Sequence, residues 1–120
     1  RMPNLNASLG IAQMESLPAY LKNKRDIAGQ YNEWCGENDV QFMIEPKNTK
    51  SNYWLNTIVT IDKKQRDSVL LATNNANVMT RPAWTPMHNL SINSDCESSD
   101  LTNTEWLADR IVNLPSSPNI

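Results

Sequence analysis

The stretch Asn52-Tyr53-Trp54-Leu55-Asn56-Thr57-Ile58-Val59-Thr60-Ile61 puts Tyr53, Leu55, Thr57, Val59 and Ile61 on one side of an extended chain and Trp54, Asn56, Ile58 and Thr60 on the other. Period-two alternation rich in β-branched and aromatic residues predicts a strand, and apolar groups on both sides place it centrally, with both faces partly covered. Working outward, Asp62 followed by Gln65 has capping spacing, and Lys63 to Asn75 reads as a helix with Val69, Leu70 and Thr73 inward. Asn74-Asn75-Ala76-Asn77 ends it, with Asn77 expected in the left-handed conformation that asparagine tolerates. Val78 to Arg81 is expected as the next strand. On the other side, Lys47 to Ser51 is a polar turn, and Gln41 to Glu45 is a short strand stopped by Pro46.

Further upstream the period becomes helical. Leu5, Leu9 and Ala12 share a face behind Asn4 as N-cap, and this helix should break near Ser16-Leu17-Pro18, because proline is disruptive inside a helix. A second helix is expected from Pro18 to Trp34, with Gly36 after its end. Its Lys22, Lys24, Arg25 and Asp26 read as a solvated face. Downstream, Ser91 to Asp100 is a polar loop, Thr102-Asn103-Thr104-Glu105 is a capping box opening a helix through Arg110, and Val112-Asn113-Leu114 is a last strand before Pro115. The expected fold class is α+β: a two-layer domain over residues 1–120, helices on one side of a small, mostly antiparallel sheet, with 1–36 a helical segment.

Composition bounds the function. A chain of 120 residues with net charge −2 and 39% hydrophobic residues reads as one soluble globular domain, with no general attraction to nucleic acid or anionic membrane. Cys35 and Cys96 are expected as free thiols in a reducing compartment, and one histidine with no CxxC pair argues against a metal site. Three glycines, all before residue 37, leave no phosphate-cradling loop. No serine-nucleophile elbow or paired-carboxylate signature is present, so no catalytic residue is assigned.

Recognition chemistry is concentrated in Met79-Thr80-Arg81-Pro82-Ala83-Trp84-Thr85-Pro86-Met87-His88. Its two prolines fix their own φ and push Arg81 and Thr85 toward extended backbone. Arg81 can hold a carboxylate or phosphate bidentately, Trp84 can stack on a ring, and His88 can donate to an oxygen. Two readings stay open from the residues. The stretch is a ligand wall, or an ordinary surface loop with Trp84 packed on the core and His88 in a local hydrogen bond.

Four separated motifs, Arg1-Met2-Pro3-Asn4-Leu5-Asn6-Ala7-Ser8-Leu9-Gly10, Ser51-Asn52-Tyr53-Trp54-Leu55-Asn56, Thr80-Arg81-Pro82 to His88, and Thr104-Glu105-Trp106 to Leu114-Pro115-Ser116-Ser117, occur in order across the chain. Together they resemble the C-terminal part of the DegT/DnrJ/EryC1/StrS sugar aminotransferases, nearest the branch that aminates nucleotide-linked 4-keto-6-deoxy sugars toward legionaminic acid and bacillosamine. The resemblance implies the small domain of the aspartate aminotransferase fold, in a cytoplasmic homodimer using pyridoxal phosphate. It also implies that the Schiff-base lysine lies upstream in a large domain, so that this chain alone binds no cofactor and turns nothing over. By resemblance Arg81, Trp84 and His88 face the nucleotide-sugar substrate. Arg1 begins where the family's Asn-Tyr-Arg segment approaches the cofactor phosphate, although that asparagine is missing here. A stand-alone binding or self-association module derived from the same domain is the alternative.

Overall fold

The computed structural model describes residues 2–118. In chain order it contains α1 (Asn4–Glu37), β1 (Gln41–Phe42), β2 (Asn56–Val59), α2 (Lys63–Asn75), β3 (Arg81–Pro82), two single 3-10 turns (Met87–Asn89 and Ser91–Asn93), α3 (Thr102–Ala108) and β4 (Ile111–Leu114). The four strands form one antiparallel sheet in the order β1-β2-β4-β3, so the Asn52 to Ile61 stretch does supply a central strand. Ile58 pairs with Val112 and Phe42. On that face Ile58 and Val112 meet Cys35 of α1, with Val69 and Leu70 of α2 packed alongside. Both long helices therefore cover one face, as the α+β reading expects. The opposite face carries Thr57, Asn113 and Arg81, aligned by register.

Local signals set α2. Asp62 caps it by accepting from the Gln65 amide at 2.7 Å, Gln65 Oε1 accepts from the Ile61 amide at 2.8 Å, and Asn77 turns the chain at φ 60°. Other boundaries differ from the sequence reading. Pro18 lies inside a continuous α1 instead of separating two helices. A proline removes one backbone bond and costs about 3 kcal/mol, but strong helix formers flank it (Gln13 and Met14, Ala19 and Leu21), and Ala28 and Cys35 anchor the helix beyond it in the core. Gly36 is still helical. The stop comes from Asn38, whose side chain donates to the Trp34 carbonyl at 2.8 Å, and from Asp39 at φ 54°.

The strands are shorter than their sequence patterns. β2 starts only at Asn56, because Tyr53 takes a left-handed φ of 45° and bends the chain before it. β3 is Arg81–Pro82 rather than Val78 to Arg81. Thr80 instead turns inward, 4% exposed, onto the end of α2. The capping box at Thr102 is displaced. Asp100 takes that part, accepting from the Thr102 amide and hydroxyl at 3.0 and 2.6 Å, and the helix ends at Ala108. The charged face of α1 is only half solvated: Lys22 pairs with Asp26, whereas Lys24 and Arg25 reach inward to other segments. Both cysteines are free, Cys35 buried and Cys96 exposed. Among the described residues no helix is long and apolar enough to cross a membrane.

Candidate functional site

The Arg81 to His88 stretch leaves α2 under tight local control. Asn74 Nδ2 donates to the Thr80 carbonyl and hydroxyl, both at 3.1 Å, and the Thr73 and Thr80 hydroxyls meet at 2.5 Å. These bonds deliver Arg81 and Pro82 to the edge of β4, where Arg81 pairs with Asn113. The Asn113 carboxamide then ties three strands together, accepting from Thr57 Oγ1 at 2.8 Å and donating to the Pro82 carbonyl at 3.3 Å.

Beside this edge lies an open cavity of about 580 Å³, lined by Arg81, Trp84, Leu55, Asn113 and Ser116 among others. The guanidinium of Arg81 makes one weak contact, to Met79 Sδ at 3.6 Å, and its donors are otherwise turned to solvent. Trp84 does not pack on the core. It is 71% exposed and stacks on Trp54, also exposed, with ring centroids 5.8 Å apart and 25° between planes. A cation beside an aromatic platform suits an anionic, ring-bearing ligand.

His88 lies elsewhere. It sits in the 3-10 turn after Pro86, bonds Glu105 Oε1 of α3 at 3.2 Å, and lines a separate hollow with Met87 and Cys96. The structure thus brings Arg81 and Trp84 together and leaves His88 outside their cavity. Arg1 lies outside the described residues. Trp54, Asn113 and Ser116 are additions that sequence reading missed. Trp54 stacks on Trp84, Asn113 pairs with Arg81, and Ser116 shares their cavity, and no local sequence pattern signals any of these meetings.

The far wall is held from α1. Lys24 Nζ donates to the carbonyls of Ser116 at 2.6 Å, Tyr53 at 3.3 Å and Trp54 at 3.4 Å, and the Tyr31 hydroxyl donates to the Pro115 carbonyl at 3.1 Å. Ser116 Oγ accepts from the Asn56 amide at 2.8 Å and donates to the Leu114 carbonyl at 2.8 Å. Arg25 grips Glu45 with both terminal nitrogens, donates to the Ser51 carbonyl at 2.7 Å and lies over the Tyr53 ring. That guanidinium, helped by the Ser51 amide, holds the Glu45 carboxyl at about 2.

Among the described residues, the cavity gathers a guanidinium, an exposed indole, a carboxamide and the hydroxyls of Thr85, Ser116 and Ser117 at the open edge of an α+β domain. The chain belongs to the DegT/DnrJ/EryC1/StrS aminotransferase family, whose profile matches residues 1–120. It is 32% identical to a GDP-perosamine synthase of Vibrio cholerae and 30% identical to one of Escherichia coli O157:H7, over its whole length in both cases. It spans about a third of each, 34% and 32%. Among solved structures, the aminotransferase TlmJ from Streptoalloteichus hindustanus superposes with a TM-score of 0.82 at 23% identity, over 92% of this chain and 30% of that one. A Streptococcus pneumoniae protein assigned as a sugar aminotransferase, in its PLP form, gives 0.83 at 18%, over 100% and 32%. At these identities the structural likeness speaks to the fold, and it agrees with the α+β architecture.

The residues lining this cavity do not fit a pyridoxal phosphate site. Such a site needs an amine facing the cofactor carbonyl. None of the six lysines lines the cavity: Lys22 and Lys63 pair with Asp26 and Asp67, Lys24 is spent on carbonyls, and Lys47, Lys50 and Lys64 stand on other surfaces.

Proposed function

We propose that this chain is the C-terminal small domain of a pyridoxal-phosphate aminotransferase acting on a nucleotide-linked 4-keto-6-deoxy sugar, with the cofactor and its lysine supplied from outside residues 1–120. One observation carries the reading: Arg81 and Trp84, the latter stacked on Trp54, line a cavity that offers recognition groups and no lysine in its lining. The two GDP-perosamine synthases support a sugar attached to a nucleotide as the substrate class. Arg81 would clamp phosphate oxygens with its fork of donors, and the indole pair would cover a ring face. His88 enters differently from the sequence reading. Bonded to Glu105, it anchors the loop that carries Trp84 to α3. The working enzyme is proposed to be a cytoplasmic homo-oligomer.

The test is kinetic. In the active enzyme that contains this chain, Arg81→Ala should raise KM for the sugar nucleotide by ten- to a hundredfold, about the worth of a charge-assisted hydrogen bond, with kcat little changed. An unchanged KM would refute a substrate-facing Arg81. Mixed with pyridoxal phosphate, the purified 120-residue chain should show no stable visible band from a lysine adduct, and a stable band would overturn the placement of the lysine outside it.

A further inference from the structure

We infer that Lys24 is the positioning residue of this cavity, tying the Tyr53–Trp54 corner to the Pro115–Ser117 wall and so setting where the Trp54–Trp84 stack stands. The inference rests on the proposed role of the cavity, and one of its readouts does not need that role. Lys24 differs from its neighbours on α1. Lys22 and Arg25 each meet a carboxylate, whereas the Lys24 ammonium points its donors at three backbone carbonyls. Three donors meet three acceptors, which is the full bonding capacity of the group.

Those acceptors belong to two segments far apart in sequence. Tyr53 and Trp54 precede β2, and Ser116 follows β4. Tyr31 fixes the Pro115 wall to α1, and Asn56 fixes Ser116 to β2, each by hydrogen bonds to that wall. Lys24 is thus the described side chain that bonds both walls.

The corner also needs holding. Tyr53 is a bulky residue at φ 45°, a region that persists only where the surroundings over-determine it. Its amide is held by Ser51 Oγ at 3.0 Å, its hydroxyl accepts from the Glu45 amide at 3.3 Å, its ring lies under Arg25, and its carbonyl is held by Lys24. The Trp54 amide is also held, by Asn52 Oδ1 at 3.0 Å, but of these bonds those of Lys24 are the ones that cross to the cavity wall. Freed of them, the corner relaxes toward extended backbone, and the Trp54 indole leaves Trp84.

Lys24→Met keeps the length and apolar stem and deletes the donors. Two indoles 5.8 Å apart couple their transitions, so circular dichroism reads the stack without substrate, as the couplet that Trp84→Phe abolishes. In the active enzyme, Lys24→Met is expected to remove that couplet and to raise KM for the sugar nucleotide about tenfold with kcat nearly unchanged, whereas Lys22→Met changes neither. If Lys24→Met does not fold, Lys24→Gln carries the test. Its helix propensity is similar and it keeps two donors on a shorter arm, so a weakened couplet and an intermediate KM are expected. A couplet that survives in the folded variant overturns the inference. So does a lost couplet with unchanged KM while Arg81→Ala raises KM, because Lys24 would then set the stack but not the site. If Arg81→Ala and Lys24→Met both leave KM unchanged while the couplet is lost, the proposed function fails and the clamp itself stands.

Discussion

Val112 is the residue on which sheet and helices depend together. It has no exposed surface, pairs with Ile58 of β2 on one side and Pro82 of β3 on the other, and shares the core with Cys35 of α1. Val112→Ala removes two methyl groups, worth about 1.6 kcal/mol of transfer free energy at about 0.8 kcal/mol each. A void that closes only partly adds roughly 1 kcal/mol, giving a loss of about 2.5 kcal/mol in urea unfolding followed by helical circular dichroism. At about 4 °C per kcal/mol for a chain of this size, Tm should fall by about 10 °C. Val112→Thr separates polarity from volume. It keeps the shape but places a hydroxyl among apolar groups, so a loss of about 1–3 kcal/mol is expected without a cavity. Because Pro82 sits opposite Val112, both variants should also loosen the rim that holds Arg81. A loss below about 1 kcal/mol for Val112→Ala, with unchanged m-value, would refute a core sealed at this point.

Two more outcomes follow from local geometry. The Glu45 carboxyl is held at about 2 against an ordinary 4.5, so its contribution is complete above 4.5, declines as pH falls through that window and is gone below about 2. The urea midpoint should fall over that range, and Glu45→Gln should be less stable at neutral pH and show a flatter acid dependence. Pro18→Ala restores a backbone donor within α1 and should strengthen the helix by up to about 3 kcal/mol locally. Slower amide exchange from Met14 to Leu21 would show it, and unchanged exchange would mean that the helix is already limited elsewhere.

What was legible in the sequence is what is decided locally. α2 could be read to its ends because Asp62, Gln65 and Asn77 act within a few residues of one another. The central strand was visible in its alternation, but not its start, which depends on how Tyr53 is held by α1. Lys24 and Arg25 were read as solvent-facing because helical spacing says nothing about carbonyls 92 and 26 residues away. The proline-flanked stretch announced Arg81 and Trp84 as recognition groups. Their partner Trp54 was hidden, since a stack between segments thirty residues apart leaves no spacing signature. His88 carried the right chemistry in the wrong place, because the turn after Pro86 points it at α3.

Pro18 marks a real boundary even though the helix runs through it. Every residue from Asn4 to Ala19 except Ala7 is exposed, and Leu5, Leu9, Ile11 and Met14 are each more than 60% accessible. A helical segment of that length is marginal in water by itself, so an apolar stripe along it implies a surface to lie on. The dimensions agree. The radius of gyration is 17.8 Å, against roughly 14 Å for a compact domain of this length. The accessible surface is 9497 Å², against about 6,600 Å² for a monomer of this mass. The difference, about 2,900 Å² on this chain alone, exceeds the roughly 800 Å² that each partner buries in a standard interface. The two GDP-perosamine synthases are about three times as long as this chain, a length consistent with the proposed small-domain reading. The proline therefore separates the part of α1 that this core holds by itself, through Ala28, Cys35 and Lys24, from an apolar-bearing part that this core leaves uncovered.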